Sequence, residues 1–230
     1  MKLVCPEDRA PLAEESGTSA CPACGRLYAE ADGILDCFRP DLIRNPIARA
    51  VTEQAIAHYD ATATQYAGTD ADIPPDYPVV RGLQAALRAT ITPRVIVDLG
   101  CGTGRYFEQY RDAETVIGLD ASRPMLAAAR RGRADWLAKR GVSVRLARST
   151  CDATPIPDGA AGLVIAIGIL GYHLPLDPSV LQEIRRILAP GGRAFLVTHV
   201  RPTRSLTDAA KHYIKFGFIA RLPAPIRRLP

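Results

Sequence analysis

Two carboxylates and three glycines carry the first chemical signal in this chain. In Val95-Ile96-Val97-Asp98-Leu99-Gly100-Cys101-Gly102-Thr103-Gly104, an apolar run is followed by an acid and then by glycines at alternate positions. The run reads as a buried strand. Alternating glycines let the backbone turn tightly after it and let a ligand approach the main chain closely. Twenty positions after Gly100 stands Asp120, at the end of a second apolar run, Val116-Ile117-Gly118-Leu119. A carboxylate at the tip of a neighbouring strand can accept hydrogen bonds from ribose hydroxyls. A second cluster lies at the N-terminus, in Cys5-Pro6-Glu7-Asp8 and Cys21-Pro22-Ala23-Cys24-Gly25. Four of the six cysteines fall in the first 37 residues. In a chain without a signal-peptide pattern, read as soluble and cytoplasmic, that clustering favours metal over disulfides. Zinc takes four ligands, mostly thiolates and imidazoles, in a tetrahedron.

The elements that must position these groups follow from pattern. At 230 residues and 47% apolar content the chain holds one catalytic-size domain and a small appendage. No apolar run approaches the roughly 20 residues that span a bilayer. Residues 41–60 read as a connecting helix, with Pro46 in its first turn and Ile47, Val51, Ala55 and Ile56 on one face. A polar, Pro-rich loop spans 67–78, and Leu83 to Thr90 is the helix before the first strand. A helix is expected from Tyr106 to Arg111. Another opens at Ser122, with Pro124 in its first turn, and runs to Lys139. Strands are expected at Val142 to Leu146, Leu163 to Ile167 and Arg193 to Thr198. A helix at Pro178 to Leu188 and a tight turn at Pro190-Gly191-Gly192 precede the last of these.

The ten residues around Asp98 resemble motif I of the class I S-adenosylmethionine-dependent methyltransferases, and Asp120 sits where that family keeps its ribose-binding acid. Tyr59-Asp60-Ala61-Thr62-Ala63-Thr64-Gln65-Tyr66 resembles the segment that folds over the cofactor in small-molecule members; an ordinary amphipathic helix with buried tyrosines is the plain alternative. Ser149-Thr150-Cys151-Asp152-Ala153-Thr154-Pro155-Ile156-Pro157-Asp158-Gly159 resembles the adenine loop of the type 11 members. Anchored on the prolines, Thr150 falls at the place of the family's acid and Asp152 two residues later; Asp152 is taken as the adenine partner. Glu183 to Gly192 matches the family's helix and turn before the fifth strand. The resemblance covers residues 58–200 and implies a Rossmann-like α/β sheet with helices on both faces. It puts Tyr59, Tyr66, Asp98, Gly100, Cys101, Gly102, Gly104, Asp120, Ala121, Met125, Asp152, Ala153 and Gly168 on S-adenosylmethionine, with core packing as the alternative for Met125.

The cysteine turns resemble a zinc ribbon fused in front of some class I methyltransferases, among them bacterial rRNA guanine methyltransferases. One turn is intact, and the other has Asp8 where its second cysteine belongs. The expected zinc set is therefore Cys5, Asp8, Cys21 and Cys24, with Cys37 as an alternative fourth ligand and a ribbon without metal as a third reading. The resulting division is ribbon 1–40, helical connector and lid 41–92, cofactor core 93–200 and basic tail 201–230.

Methyl transfer needs an aligned acceptor and, for some acceptors, a base. His173 after the fourth strand is the expected base or orienting group, Tyr172 a wall of the acceptor pocket and His199 a weaker candidate. Charge is unevenly spread. Residues 1–40 carry four Lys/Arg against seven Asp/Glu, residues 123–148 eight against one, and residues 201–230 seven against one. The two basic stretches suit phosphates or an anionic surface, or are simply solvated. A small-molecule O- or N-methyltransferase is the first reading. An RNA methyltransferase and a non-catalytic partner subunit of the same fold are the alternatives. The thirty residues after the fifth strand look short for the usual end of the sheet. A helix is expected at Asp208 to Phe216, with the sheet stopping at five or six strands or a partner copy covering its edge.

Overall fold

The computed structural model describes residues 1–15, 17–69, 73, 76–90, 94–170, 178–200 and 214–220. Within them the strands join into one sheet of ten, in the order β1-β2-β3-β4-β7-β6-β5-β8-β9-β10. Its centre is β5 (Val95–Leu99), the strand that ends in the glycine loop. β6 (Thr115–Asp120) and β7 (Ser143–Arg148) lie parallel to it on one side. β8 (Ala161–Ile167) and β9 (Leu188–Val200) lie parallel on the other. The order therefore reverses at β5, which opens a crevice at the strand C-termini where α/β folds bind ligands. No helix among the described residues is long and apolar enough to cross a membrane.

Alternation along these strands feeds two cores. Ile96, Val116, Leu146, Leu163 and Ile165 face one side. They pack there with Val79, Leu83 and Ala86 of α2 (Pro78–Arg88), with Leu126 and Ala129 of α3 (Arg123–Ala129) and with Leu137 of α4 (Asp135–Ala138). A π-helical turn, Arg130–Ala134, joins α3 to α4. Val97, Leu99, Ile117, Leu119, Ala147, Val164 and Ala166 face the other side. There α5 (Pro178–Ile187) covers one half through Val180, Ile184 and Ile187. Leu3, Leu12, Tyr28 and Leu35 of the N-terminal unit cover the rest.

That unit is a meander of short antiparallel strands, β1 (Ala13–Glu15), β2 (Thr18–Ala20), β3 (Leu27–Ala31) and β4 (Ile34–Asp36). Asp32 and Gly33 link β3 to β4 with φ of 57° and 69°. These are the left-handed values that a two-residue hairpin turn needs and that Asp-Gly tolerates. β4 then pairs in parallel with β7, Ile34 opposite Leu146 and Asp36 opposite Arg148. The ribbon thus extends the central sheet and shares its core.

Several expectations are corrected. The connecting segment is one helix, α1 (Pro46–Thr69), and its inward face is Ala48, Thr52, Ala55, Ile56 and Tyr59; Ile47 is exposed. The helix expected at Tyr106 to Arg111 is a single 3-10 turn, Phe107–Tyr110. Both of its aromatic ends are fully buried, and the i, i+3 eclipse of that geometry turns them to the same side. Pro190-Gly191-Gly192 lies inside β9 as an irregularity in its pairing with β8. A side chain at Gly192 would come within 2.8 Å of the Ala161 carbonyl oxygen, so only glycine lets the strand pass. Residues 214–216 of the expected C-terminal helix belong to β10 (Ile214–Ala220), which pairs antiparallel with β9; positions 208–213 lie outside the described residues. The chain itself therefore supplies a sixth strand to the methyltransferase half of the sheet.

Between β7 and β8 the chain makes a long loop with no helix. It is pinned by Glu183 of α5, which is 6% exposed. One Glu183 oxygen accepts from the Thr154 amide at 2.8 Å and its hydroxyl at 2.6 Å. Arg186 donates to both Glu183 oxygens, to the Ile156 carbonyl and to Asp158. Replacing Glu183 by Ala strands a buried guanidinium and two donors of the loop. Urea unfolding should register a loss of about 3 kcal/mol, whereas Asp158→Ala, at the exposed end of the network, should cost under about 1 kcal/mol.

Candidate cofactor cleft and metal centre

After β5 the backbone doubles back over the end of β6. The amides of Gly100 and Cys101 both donate to the Leu119 carbonyl, at 2.7 and 3.0 Å. Gly100, Gly102 and Gly104 take φ of 68°, 54° and 76°, so the alternating glycines are spent on left-handed backbone. At Gly100 a Cβ would also come within 2.4 Å of Ile169, which folds over the loop from the end of β8.

Asp120 stands at the tip of β6 beneath this loop. One of its oxygens accepts from the Gly102 amide and the other from the Ser122 amide, each at 2.8 Å. Burial pushes its carboxyl above the usual range, while those backbone N–H groups pull it back. Each oxygen keeps a further lone pair for a ligand hydroxyl. Ser122 caps α3 by accepting from the Met125 amide and donates its own hydroxyl to Asp60 of α1 at 2.6 Å. This bond holds α1 across the strand ends as a roof.

Beneath that roof is a cleft with about 780 Å³ of empty space, open to solvent. Gly100, Asp120, Ala121 and Ser122 form one wall, Ser149 to Asp152 another, and Ile43 with the inward face of α1 a third. Of the expected cofactor residues, Tyr59, Gly100, Asp120, Ala121 and Asp152 share this cleft. Tyr66 is 40% exposed and lies against Tyr59, with ring centroids 5.7 Å apart and the planes tilted by 57°. Asp98, Cys101, Gly102, Gly104, Met125, Ala153 and Gly168 are not among the lining residues. Tyr172 and His173 lie outside the described residues, and only the backbone of His199 is described, within β9. Sequence reasoning expected a lid over 41–92 but named only Tyr59 and Tyr66 of it for the cofactor; the wall of Ile43, Ala48, Thr52, Ala55 and Ile56 was not singled out. The same reasoning set Thr150 aside for Asp152. The Thr150 hydroxyl is buried in this wall with no hydrogen-bond partner, a condition that costs about 1–3 kcal/mol unless a ligand relieves it.

Asp98 lies deeper. It is buried and accepts a hydrogen bond from the Tyr110 hydroxyl at 2.8 Å. Burial drives its carboxyl up to about 7; the Tyr110 bond opposes that, and nearby Asp120 adds to it. Tyr110 is the partner the sequence did not reveal, because the 3-10 turn that delivers it was expected as a helix.

At the ribbon tip, one ligand atom from each of Cys5, Asp8, Cys21 and Cys24 lies within 4.8 Å of all the others. Cys21 Sγ is 3.2 Å from each Asp8 oxygen, and the Cys5 and Cys24 sulfurs are 3.9 Å apart. Tetrahedral zinc with Zn–S near 2.3 Å requires sulfur separations of about 3.8 Å, so the donor set fits that ion. The two turns share one backbone design: Arg9 N donates to Cys5 O and Gly25 N to Cys21 O, each at 2.9 Å. Arg9 and Gly25 take matching φ of 65° and 70°. Asp8 therefore occupies the place of Cys24. Cys37, the alternative ligand, is buried in the shared core, and its amide is bonded to the Arg148 carbonyl.

The Asp98 environment generates a pH dependence. A carboxyl held protonated up to about 7 in the folded chain and ionised above about 4 in the unfolded one binds more protons when folded. Stability must then fall as pH rises from about 4 to 7 and level off above. Asp98→Asn should flatten that slope in urea melts across this range. Tyr110→Phe, which removes the bond favouring the charged form, should extend the decline to higher pH.

A methyltransferase family profile, described as "Methyltransferase domain", matches residues 96–192. A ubiquinone biosynthesis O-methyltransferase of Cronobacter sakazakii is 27% identical over 164 residues, 70% of this chain and 66% of that protein. A 23S rRNA (guanine(748)-N(1))-methyltransferase of Streptomyces fradiae is 31% identical over 212 residues, 85% of this chain and 62% of that one. The chain thus spans less than two thirds of either relative. The crystal structure of the [4+2]-cyclase SpnF superposes with a TM-score of 0.53 at 23% identity, covering 66% of this chain and 62% of that one, and shares the fold. Sheet order, glycine loop, strand-end acid and profile together make residues 96–192 a class I S-adenosylmethionine-dependent methyltransferase domain.

Proposed function

We propose that this chain transfers a methyl group from S-adenosylmethionine to an oxygen or nitrogen of a small-molecule acceptor, and that its ribbon carries a structural zinc ion. The observation that carries the cofactor is Asp120, half-buried at the tip of β6 with both oxygens oriented by loop amides and a cleft in front of it. In this reading Asp120 accepts from the ribose hydroxyls, and the backbone of Gly100 to Gly104 receives the methionine end. Thr150 and Asp152 face the adenine, and Tyr59 closes the roof. Bound S-adenosylmethionine supplies a sulfonium methyl for in-line displacement. Tyr172 and His173 are proposed for the acceptor side, His173 as the group that takes or orients the acceptor proton, since imidazole exchanges protons near neutral pH.

The small acceptor is supported by what the basic residues do. Arg123 donates to the Ala31 carbonyl, Arg145 pairs with Glu14 at 2.7 Å, and Arg148 reaches Asp36. Three of the eight basic residues of the stretch 123–148 thus hold the acidic ribbon of the same chain and are drawn away from phosphate. An RNA acceptor is the second reading, favoured by the Streptomyces relative, which is named an rRNA methyltransferase and matches 85% of the chain.

Calorimetric titration with S-adenosylmethionine should show saturable binding that weakens at least about tenfold in Asp120→Ala, since a charge-assisted pair of hydrogen bonds is lost. Thr150→Val should weaken binding without lowering stability, because it removes a hydroxyl unpaired in the free protein. Elemental analysis should find one zinc per chain, lost in a Cys21→Ser/Cys24→Ser variant. If RNA is the acceptor, RNA affinity will fall steeply with salt and RNA will accept label from the methyl donor; a small-molecule enzyme will show neither.

A further inference from the structure

We infer that the ribbon is a working part of the cofactor site, and that Arg148 is the positioning residue through which the metal-bearing ribbon sets cofactor affinity. The inference rests on the cofactor and zinc readings above and goes beyond both. Three connections carry it. The first is at the N-terminus, where the Val4 amide donates to the Pro155 carbonyl at 2.9 Å. Val4 adjoins the ligand Cys5, and Pro155 lies in the loop whose start, Ser149 to Asp152, walls the cleft. The second is at the ribbon exit, where the Cys37 amide donates to the Arg148 carbonyl at 2.9 Å as β4 runs alongside β7. The third is the Arg148 side chain. Its Nε donates to the Ala121 carbonyl at 2.8 Å, its Nη1 lies 3.4 Å from Asp36, and its guanidinium stacks 4.3 Å over the Phe38 ring. Ala121 sits between Asp120, the proposed ribose acid, and Ser122, which ties down the α1 roof.

Both segments that the ribbon grips are therefore cleft walls. On that face α5 and the ribbon residues pack into one core with β5, β6, β7 and β8. The loop between β7 and β8 has no helix of its own to fix it. A planar guanidinium can stack on one element while donating in a fixed direction to another, and Arg148 does this between Phe38 and Ala121. Metal binding orders the ribbon. An ordered ribbon holds Arg148 and Pro155, and through them the Ala121 turn and the adenine loop. Linkage makes the coupling reciprocal, so the cofactor must retain the metal by the same factor that the metal tightens the cofactor.

The experiment measures S-adenosylhomocysteine affinity by calorimetry on the full chain, zinc-loaded and EDTA-stripped. Circular dichroism and melting on the same samples establish that the sheet is intact. The wild type should bind about tenfold more weakly when stripped, and S-adenosylhomocysteine should slow zinc extraction by EDTA. Zinc-loaded Arg148→Met should bind about as weakly as the stripped wild type and lose little more on stripping. Arg148→Lys, which keeps the charge and one donor, should recover part of the affinity. Arg145→Ala, which breaks a ribbon contact that reaches no cleft wall, should keep wild-type affinity and its metal dependence. Equal affinity of loaded and folded, stripped wild type overturns the coupling, as does an Arg145→Ala loss as large as that of Arg148→Met. A chain that binds no S-adenosylhomocysteine when loaded overturns the methyltransferase reading, and one that holds no zinc overturns the metal reading; the coupling falls with either.

Discussion

The central parallel strands are apolar on both faces, and every such face has to be covered. On one side α2, α3 and α4 do this. On the other, the single helix α5 reaches only part of the sheet, and the long segment from Ser149 to Ala160 crosses without forming a helix. The ribbon fills the gap. It contributes an edge strand to β7 and buries Leu3, Leu12, Tyr28 and Leu35 against Val97, Leu99, Ile117 and Leu119. A forty-residue piece that would bury too little surface to stand alone thereby shares a core with the domain behind it. The same seam explains its charge. An acidic ribbon lies along a basic stretch of the same chain, and the ion pairs Arg145–Glu14 and Arg148–Asp36 join the two.

On this frame the cofactor site is an exercise in orienting carboxylates away from water. Asp98 is buried and Asp120 half-buried, and the charge of Asp120 helps to raise the pKa of Asp98. They are held differently. Asp120 is oriented by two backbone amides that favour its charge, which suits a group that must accept from a ligand. Asp98 has one phenol and a dry surrounding, which suits a group that braces the loop from inside. The roof is tied to this base by one side-chain bond, Ser122 to Asp60. A turn that carries the strand-end acid, the helix cap and the roof tether within three residues is sensitive to whatever positions its backbone, and Arg148 donates to its middle carbonyl.

The relatives named for ubiquinone biosynthesis and for rRNA methylation both match this sequence over much of the chain. A fold common to both leaves the acceptor to local chemistry. Here the local chemistry is a cleft with few charges and a basic surface partly consumed by the ribbon.

The sheet's centre, the glycine loop and the paired cysteine turns were legible from the residues alone. These depend on local rules: a strand followed by alternating glycines, an acid one strand later, and paired ligands at fixed knuckle spacing. Asp8 was legible as the counterpart of Cys24 from its place in the turn, and in the structure Arg9 repeats the backbone of Gly25. Tertiary structure alone decided the rest. The turn at Phe107–Tyr110 is 3-10 because two buried aromatics demand it, and propensity does not register that demand. Pro190-Gly191-Gly192 runs on within a strand because Ala161 lies against it. The inward face of α1 is rotated from Ile47 to Ala48 and Thr52 because it must meet the strand ends, and an isolated helix has no such neighbour. Most of all, the joining of ribbon to sheet was invisible. Ile34 and Leu146 are more than a hundred positions apart, and parallel pairing at that range leaves no periodic trace in either segment; it follows from which apolar face remains uncovered once the helices have packed.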